Sequence, residues 1–204
     1  NTCSVRDNAN RKIYNRVHEI KKNNAAARIG VLGCMATNFK KALLDNKSLQ
    51  IDFIAGPDSY KTLPHLLTNL EDEEQKQFDV TLSEFETYQE IYPKRKAGAN
   101  AWIAVMRGCN NFCTFCVVPY TRGRERSRSI ESVVTEAKKC VDQGFKQITL
   151  LGQNVNSYRH QDNGAEHDFT DLLEKVSNVN GLSRIRFTSP HPKDFPKKCL
   201  ELMA

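Results

Sequence analysis

No stretch of the sequence approaches the roughly 20 consecutive apolar residues that a membrane-spanning helix requires. No apolar secretory segment stands at its start. The coupling of a C-x2-C pair with a second such pair or an H-x3-H, typical of zinc sites, is absent, and so are internal repeats and low-complexity tracts. These absences argue against a helical membrane protein and a zinc module. The cysteines number seven, an odd count, so a disulfide framework is also disfavoured and a reducing, intracellular compartment is expected.

The chain has 204 residues, 39% hydrophobic and 26% charged, which suits a soluble globular protein of one large or two small domains. It begins at Asn1 without an initiator Met and ends at Ala204 within a predicted helix, as expected of a piece of a longer protein. The net charge of +6 permits an anionic partner such as RNA, and equally a merely soluble basic surface.

The most informative stretch is Arg107-Gly108-Cys109-Asn110-Asn111-Phe112-Cys113-Thr114-Phe115-Cys116, with the spacing C-x3-C-x2-C. Three thiolates on one short loop can hold three irons of a 4Fe-4S cluster and leave the fourth open to a small chelating molecule. Residues 101–106 before it read as a buried strand, so the loop is placed at a strand's carboxyl end, where α/β sheets hold ligands.

Along the chain, Ile13, Val17 and Ile20 recur at helical spacing and predict an amphipathic helix over about 7–22. Strands are expected at 28–32 and 51–55, with helices at 38–44 and 64–70, where Pro64 suits a first turn. This alternation predicts an α/β domain with a parallel sheet. The polar run 71–77 reads as a solvated linker, and the basic 94–100 as a flexible loop. Beyond it the expected order is strand 101–106, cysteine loop, helix 129–142, strand 147–151, helix 169–176, strand 184–187 and a helix from 197. Ser129 is the expected N-cap of its helix and Gly144 the stop after it. Arg122, Arg124, Arg126 and Arg128 alternate, which in an extended segment puts four guanidinium groups on one face, suited to phosphate or a cofactor carboxylate. A solvated charged loop is the plainer alternative. Cys140 and Cys199 fall on predicted helices and read as core residues.

The cysteine loop after a strand resembles the radical S-adenosylmethionine enzymes. In that family S-adenosylmethionine chelates the open iron and is cleaved reductively to a 5′-deoxyadenosyl radical. Met106-Arg107-Gly108-Cys109-Asn110 and the stretch from Val118 to Arg128 resemble the methylthiotransferase branch, and within it the enzymes acting on isopentenyladenosine in tRNA. The resemblance implies an amino-terminal methylthiotransferase domain over 1–72, a linker over 73–99, and the first half of a radical S-adenosylmethionine partial (β/α) barrel over 100–204. Further strands and an RNA-binding β-domain are expected beyond Ala204.

The resemblance also assigns residues. Cys109, Cys113 and Cys116 are implied as ligands of the radical cluster. Asn1-Thr2-Cys3 and Gly33-Cys34-Met35-Ala36 are similar to two of the three motifs whose cysteines hold an auxiliary 4Fe-4S cluster, while the third motif is not in this sequence. Thr37-Asn38 departs from the family's Glu-Arg after Gly-Cys-Met-Ala. Taken alone, Cys3 and Cys34 read as buried structural cysteines. For S-adenosyl-L-methionine the implied contacts are Phe115 near the adenine, Gln153 and Asn154 at the second strand's end, Ser189 and His191 beyond the third, and Arg122 and Arg124. Gln and Asn both donate and accept, as the amino and carboxylate groups require.

The expected activity is therefore transfer of a methylthio group to C2 of isopentenyladenosine beside the anticodon, with tRNA and an electron donor as partners. A monomer with no membrane association is expected, in the bacterial cytoplasm or the mitochondrion. The alternatives are the threonylcarbamoyladenosine branch, which tends to carry Asp-Gly-Cys; a ribosomal-protein aspartate branch with Glu-Gly-Cys; and an iron-sulfur binding protein without turnover. Arg107-Gly108-Cys109 stands against the first two.

Overall fold

Helix α1 (Asp7–Asn23) buries Val17 and packs Ile13 and Ile20 beside it, with Asp7 in its first turn and Lys21 and Lys22 in its last, as the helix dipole favours. The computed structural model, which describes residues 1–4, 7–72, 77–162 and 164–204, continues with β1 (Gly30–Leu32), α2 (Cys34–Asn38), α3 (Lys40–Asp45), β2 (Phe53–Ala55), α4 (Leu63–Asp72) and β3 (Gln77–Asp79). Then come β4 (Asn100–Ala104), β5 (Met106–Arg107), α5 (Val118–Arg122), β6 (Arg126–Ser127), α6 (Ile130–Asp142) and β7 (Gln147–Leu151). The chain ends with β8 (Arg159–Asp162), β9 (Ala165–Asp168), α7 (Phe169–Ser177), β10 (Arg184–Phe187) and α8 (Lys197–Met203). No helix among the described residues is long and apolar enough to cross a membrane.

Two compact units result, one from Asn1–Glu84 with Asn110–Gly123, the other from Phe85–Cys109 with Arg124–Ala204. In the first, β1, β2 and β3 form a parallel sheet in that order, with Val31 beside Ile54 and Ile54 beside Phe78. Its core gathers Val17, Ile29, Val31, Met35, Leu43 and Ile54. The single helix expected over 38–44 is two short ones, because Phe39 leaves helical geometry (φ −111°, ψ 23°) while its ring packs against this core. The linker expected from 73 onwards contains β3, whose backbone completes the sheet beside β2 although Gln77-Phe78-Asp79 has little apolar pattern. Residues 73–76 of the acidic run, and Val5 and Arg6, lie outside the described residues.

In the second unit β10, β7 and β4 form a parallel sheet, connected through α6 and α7. Ile148 and Leu150, Ala101 and Ile103 turn one sheet face into a core with Val133, Ala137, Leu172 and Val176 of the helices. The strand expected over 101–106 breaks at Val105, after which β5 pairs antiparallel with β6. Ser129 caps α6 by accepting from Ser132 N–H, and Gly144 stops it at φ 92°. An antiparallel hairpin, β8 with β9, fills what the sequence presents as loop.

Candidate iron-sulfur and cofactor site

The two amino-terminal cysteine motifs meet in the first unit. Thr2 N–H donates to Leu32 O at 2.9 Å and Met35 N–H to Thr2 O at 3.4 Å, so residues 1–3 run beside the end of β1. Gly33 lies at φ 89°, and a Cβ there would stand 2.4 Å from Asn1 Oδ1 and 2.9 Å from Thr2 O. Only glycine lets the two segments close on each other. Cys34 is the first residue of α2 and is buried, while Cys3 is exposed. Asn38 donates to Ser4 Oγ at 2.7 Å and fastens the Cys3 segment to α2.

The cysteine loop begins with Gly108 at φ 77° and the buried Cys109 of the second unit. In that unit the Arg107 guanidinium lies 4.4 Å from the Tyr88 ring centroid, a cation-π contact. Cys113 and Cys116, in the first unit, are partly buried and joined by a turn in which Cys116 N–H donates to Cys113 O at 2.9 Å. Phe112 has a left-handed backbone (φ 46°) and meets Tyr120 edge to face at 5.9 Å. Phe115 is 91% exposed.

The four alternating arginines do not share a face. Val118–Arg122 is helical, and Gly123 at φ 73° resets the chain direction, which destroys the period of two. Arg124 is exposed, whereas Arg126 and Arg128 are buried. Arg128 pairs with Glu136 inside the core rather than with any external anion. Arg122, expected at the cofactor, directs its Nε–H to the sulfur of Cys34 at 3.1 Å.

At the carboxyl end of β7, Gly152 permits close packing: a Cβ there would lie 2.9 Å from Met106 Sδ and from Val155 Cα. Gln153 Oε1 and Asn154 Oδ1 are both buried with no hydrogen-bond partner among the described residues. Asn154 Nδ2 donates to Asp194 Oδ2 at 2.7 Å. Asn156, to which no role is assigned from sequence, is fully buried and clamps the third-strand loop: it donates to His191 O at 2.8 Å and accepts from His191 N–H at 2.7 Å. Ser189, left-handed at φ 58°, and His191 are exposed, with His191 Nδ1 accepting from Lys193 N–H at 3.2 Å. The clamp brings the ends of the second and third strands together. Only the amide-rich composition of 153–156 hinted at it, and nothing local marked Asp194.

None of the seven cysteines is in a disulfide. Cys140 and Cys199 are fully buried in α6 and α8, and burial pushes both thiols up, which agrees with a core role. Among the described residues no three His, Cys, Asp or Glu side chains converge into a set that could hold a metal ion.

A cysteine-rich loop after the first strand of a parallel β/α sheet, with amide side chains at the next strand's end, defines a class of α/β enzymes that carry their cofactors at strand ends. The chain belongs to the radical SAM superfamily, whose family profile matches residues 103–204. Residues 1–56 match "Uncharacterized protein family UPF0004". Curated relatives include the tRNA-2-methylthio-N(6)-dimethylallyladenosine synthases of Porphyromonas gingivalis, 50% identical, and of Chloroherpeton thalassium, 48% identical, each covering 100% of this chain. The chain spans 45% of the length of both. The fold is similar to that of the radical S-adenosylmethionine methyltransferase TsrM from Kitasatospora setae, with a TM-score of 0.62 at 16% identity over 94% of this chain and 42% of that one.

Membership brings the superfamily's cofactors, a 4Fe-4S cluster and S-adenosyl-L-methionine. The donor chemistry of the residues present suits both, although among the described residues the cysteine side chains do not converge on one point. The thiols of the loop and of the Gly33-closed pair of segments are soft donors suited to iron. The partnerless amide oxygens of Gln153 and Asn154 supply buried acceptors for an ammonium group.

Proposed function

We propose that the whole protein is a tRNA methylthiotransferase that places a methylthio group on C2 of N6-isopentenyladenosine beside the anticodon. The observation that carries this is full-chain identity of about half to relatives named for that activity on the dimethylallyl, that is isopentenyl, nucleoside. In this reading residues 1–72 serve the amino-terminal methylthiotransferase domain and 100–204 the radical domain. When bound, the clusters and S-adenosyl-L-methionine supply the one-electron and methyl chemistry. The protein's own residues hold and shield. Cys109, Cys113 and Cys116 hold the radical cluster, and Cys3 and Cys34 are two ligands of an auxiliary one. Gln153 and Asn154 accept from the amino group of S-adenosyl-L-methionine. Ser189 and His191 line the same pocket from the loop that Asn156 clamps, and Phe115 covers the adenine. Arg124, exposed, meets a carboxylate or a phosphate in this reading.

The partners in this reading are tRNA, whose base must leave its stack to be reached, and an electron donor; the enzyme works as a monomer in a reducing compartment, bacterial cytoplasm or mitochondrion. The isopentenyl group is apolar, so a pocket shaped for it rejects a threonylcarbamoyl carboxylate through desolvation.

The test is mass spectrometry of tRNA nucleosides after incubating the reconstituted full-length enzyme with isopentenyl-tRNA, threonylcarbamoyl-tRNA, unmodified tRNA and ribosomal protein. Methylthiolation should be confined to isopentenyl-tRNA. Equal or faster turnover of the threonylcarbamoyl substrate refutes the branch and leaves the radical chemistry standing.

A further inference from the structure

Arg122 Nε lies 3.1 Å from Cys34 Sγ, although 88 residues separate the two. Both residues belong to the first unit, and α2 and α5, which carry them, pack on each other. Each end of the contact is fixed. Arg122 is the last residue of α5, whose end is set by Gly123 donating to Pro119 O at 3.1 Å. Cys34 opens α2 directly after Gly33, whose N–H donates to Ala55 O at 2.9 Å. The sulfur is buried, so water does not substitute readily for the arginine.

A guanidinium always carries its charge. At this distance it delivers both an N–H and a positive charge to one sulfur. Hydrogen bonds to ligand sulfurs, local charge and exposure are what set the potentials of iron-sulfur clusters. A cationic donor favours the reduced form, in which the sulfurs hold more negative charge. We propose that Arg122 is a positioning residue for the auxiliary cluster: it fixes the Cys34 sulfur and raises the cluster's reduction potential. This rests on the reading of Cys34 as an auxiliary-cluster ligand.

The experiment uses the full-length protein with Cys109, Cys113 and Cys116 all replaced by Ala, so that any remaining cluster is the amino-terminal one. Redox titration followed by electron paramagnetic resonance reads its midpoint. Arg122→Leu should make reduction about tenfold less favourable, which for a one-electron couple is about 59 mV downward. Arg122→Lys, which keeps a cationic N–H donor, should recover at least half of that shift. An unchanged midpoint in the Leu variant at equal iron content, or equal shifts in both variants, overturns the role of Arg122. Absence of any cluster in the parent overturns it together with the ligand assignment of Cys34. Should the Leu variant take up no iron, hydrogen exchange of the Arg122 Nε–H in the iron-free protein decides. Exchange should speed up at least tenfold in Cys34→Ala; equal rates overturn the contact itself.

Discussion

Arg128 Nη1 donates to Glu136 Oε2 at 2.6 Å, and both side chains are shut away from solvent, with 4% and 2% of their surface exposed. Arg95 bonds the other carboxylate oxygen. Arg128 further donates to Ala104 O at 3.0 Å and to Ser132 Oγ at 2.7 Å, so the network ties α6 to the end of β4. One buried carboxylate thus faces two guanidinium groups, and its removal strands both.

Glu136→Ala is therefore expected to destabilise the protein by about 3–5 kcal/mol, the usual consequence of breaking a buried pair from one side. Glu136→Gln keeps the shape and part of the hydrogen bonding and should lose less. Denaturant unfolding measures both. A loss below about 1 kcal/mol for the Ala variant, the range of exposed pairs, would show that the network is not held together by this carboxylate.

The same residues show where the sequence was legible. Strands β7 and β10 stand where their short apolar runs put them, and Ser129 and Gly144 mark the ends of α6 as their cap chemistry requires. The alternation of Arg122 to Arg128 misleads because it presumes an extended backbone, while Val118–Arg122 coils and Gly123 turns. The partner of Arg128 lies eight residues on, and that of Arg122 lies 88 residues back; no local spacing encodes either. Strand β3 escapes notice because its polar edge position needs no apolar run. The β8–β9 hairpin escapes for want of apolar alternation in its strands.

Asn156 carries a second expectation. Its two hydrogen bonds to the His191 backbone are buried, and an Ala in its place leaves a backbone donor and acceptor without partners. Asn156→Ala should destabilise by about 1–3 kcal/mol for each group left unsatisfied. Exchange of the His191 amide should accelerate, and affinity for S-adenosyl-L-methionine should fall as the loop loosens. Unchanged exchange at His191 would mean that the loop is held by other contacts.

Tyr158 gives a pH dependence. Its hydroxyl donates to Arg128 O at 2.5 Å, and burial pushes its pKa well up, with the charge of Arg128 opposing and that of Asp171 adding. A folded pKa raised above the unfolded value means the folded state holds the proton more tightly. Its contribution to stability is complete below about pH 10, the unfolded value, and is lost as pH rises through the folded value. The wild type should therefore lose stability above about pH 10 more steeply than Tyr158→Phe. At neutral pH the Phe variant should be less stable by about 1 kcal/mol for the lost hydrogen bond. Parallel stability curves for the two above pH 10 would remove Tyr158 from the account.

The two cysteine sets should separate experimentally. Cys109, Cys113 and Cys116 lie on the loop within the region matching the radical SAM superfamily, whereas Cys3 and Cys34 lie in the region matching the other family. The Cys3 segment is held against Cys34 by backbone hydrogen bonds and by the absence of a side chain at Gly33. Losing either amino-terminal thiol need not disturb the loop. In the anaerobically reconstituted full-length protein, Cys3→Ala or Cys34→Ala should lower bound iron by about four atoms, one 4Fe-4S cluster. Reductive cleavage of S-adenosyl-L-methionine should stay measurable while methylthio transfer stops. Cys109→Ala, Cys113→Ala and Cys116→Ala should each abolish both. If the Cys34 variant keeps its full iron and transfers methylthio groups at the wild-type rate, the buried thiol beside Arg122 is a packing residue and the auxiliary cluster lies elsewhere.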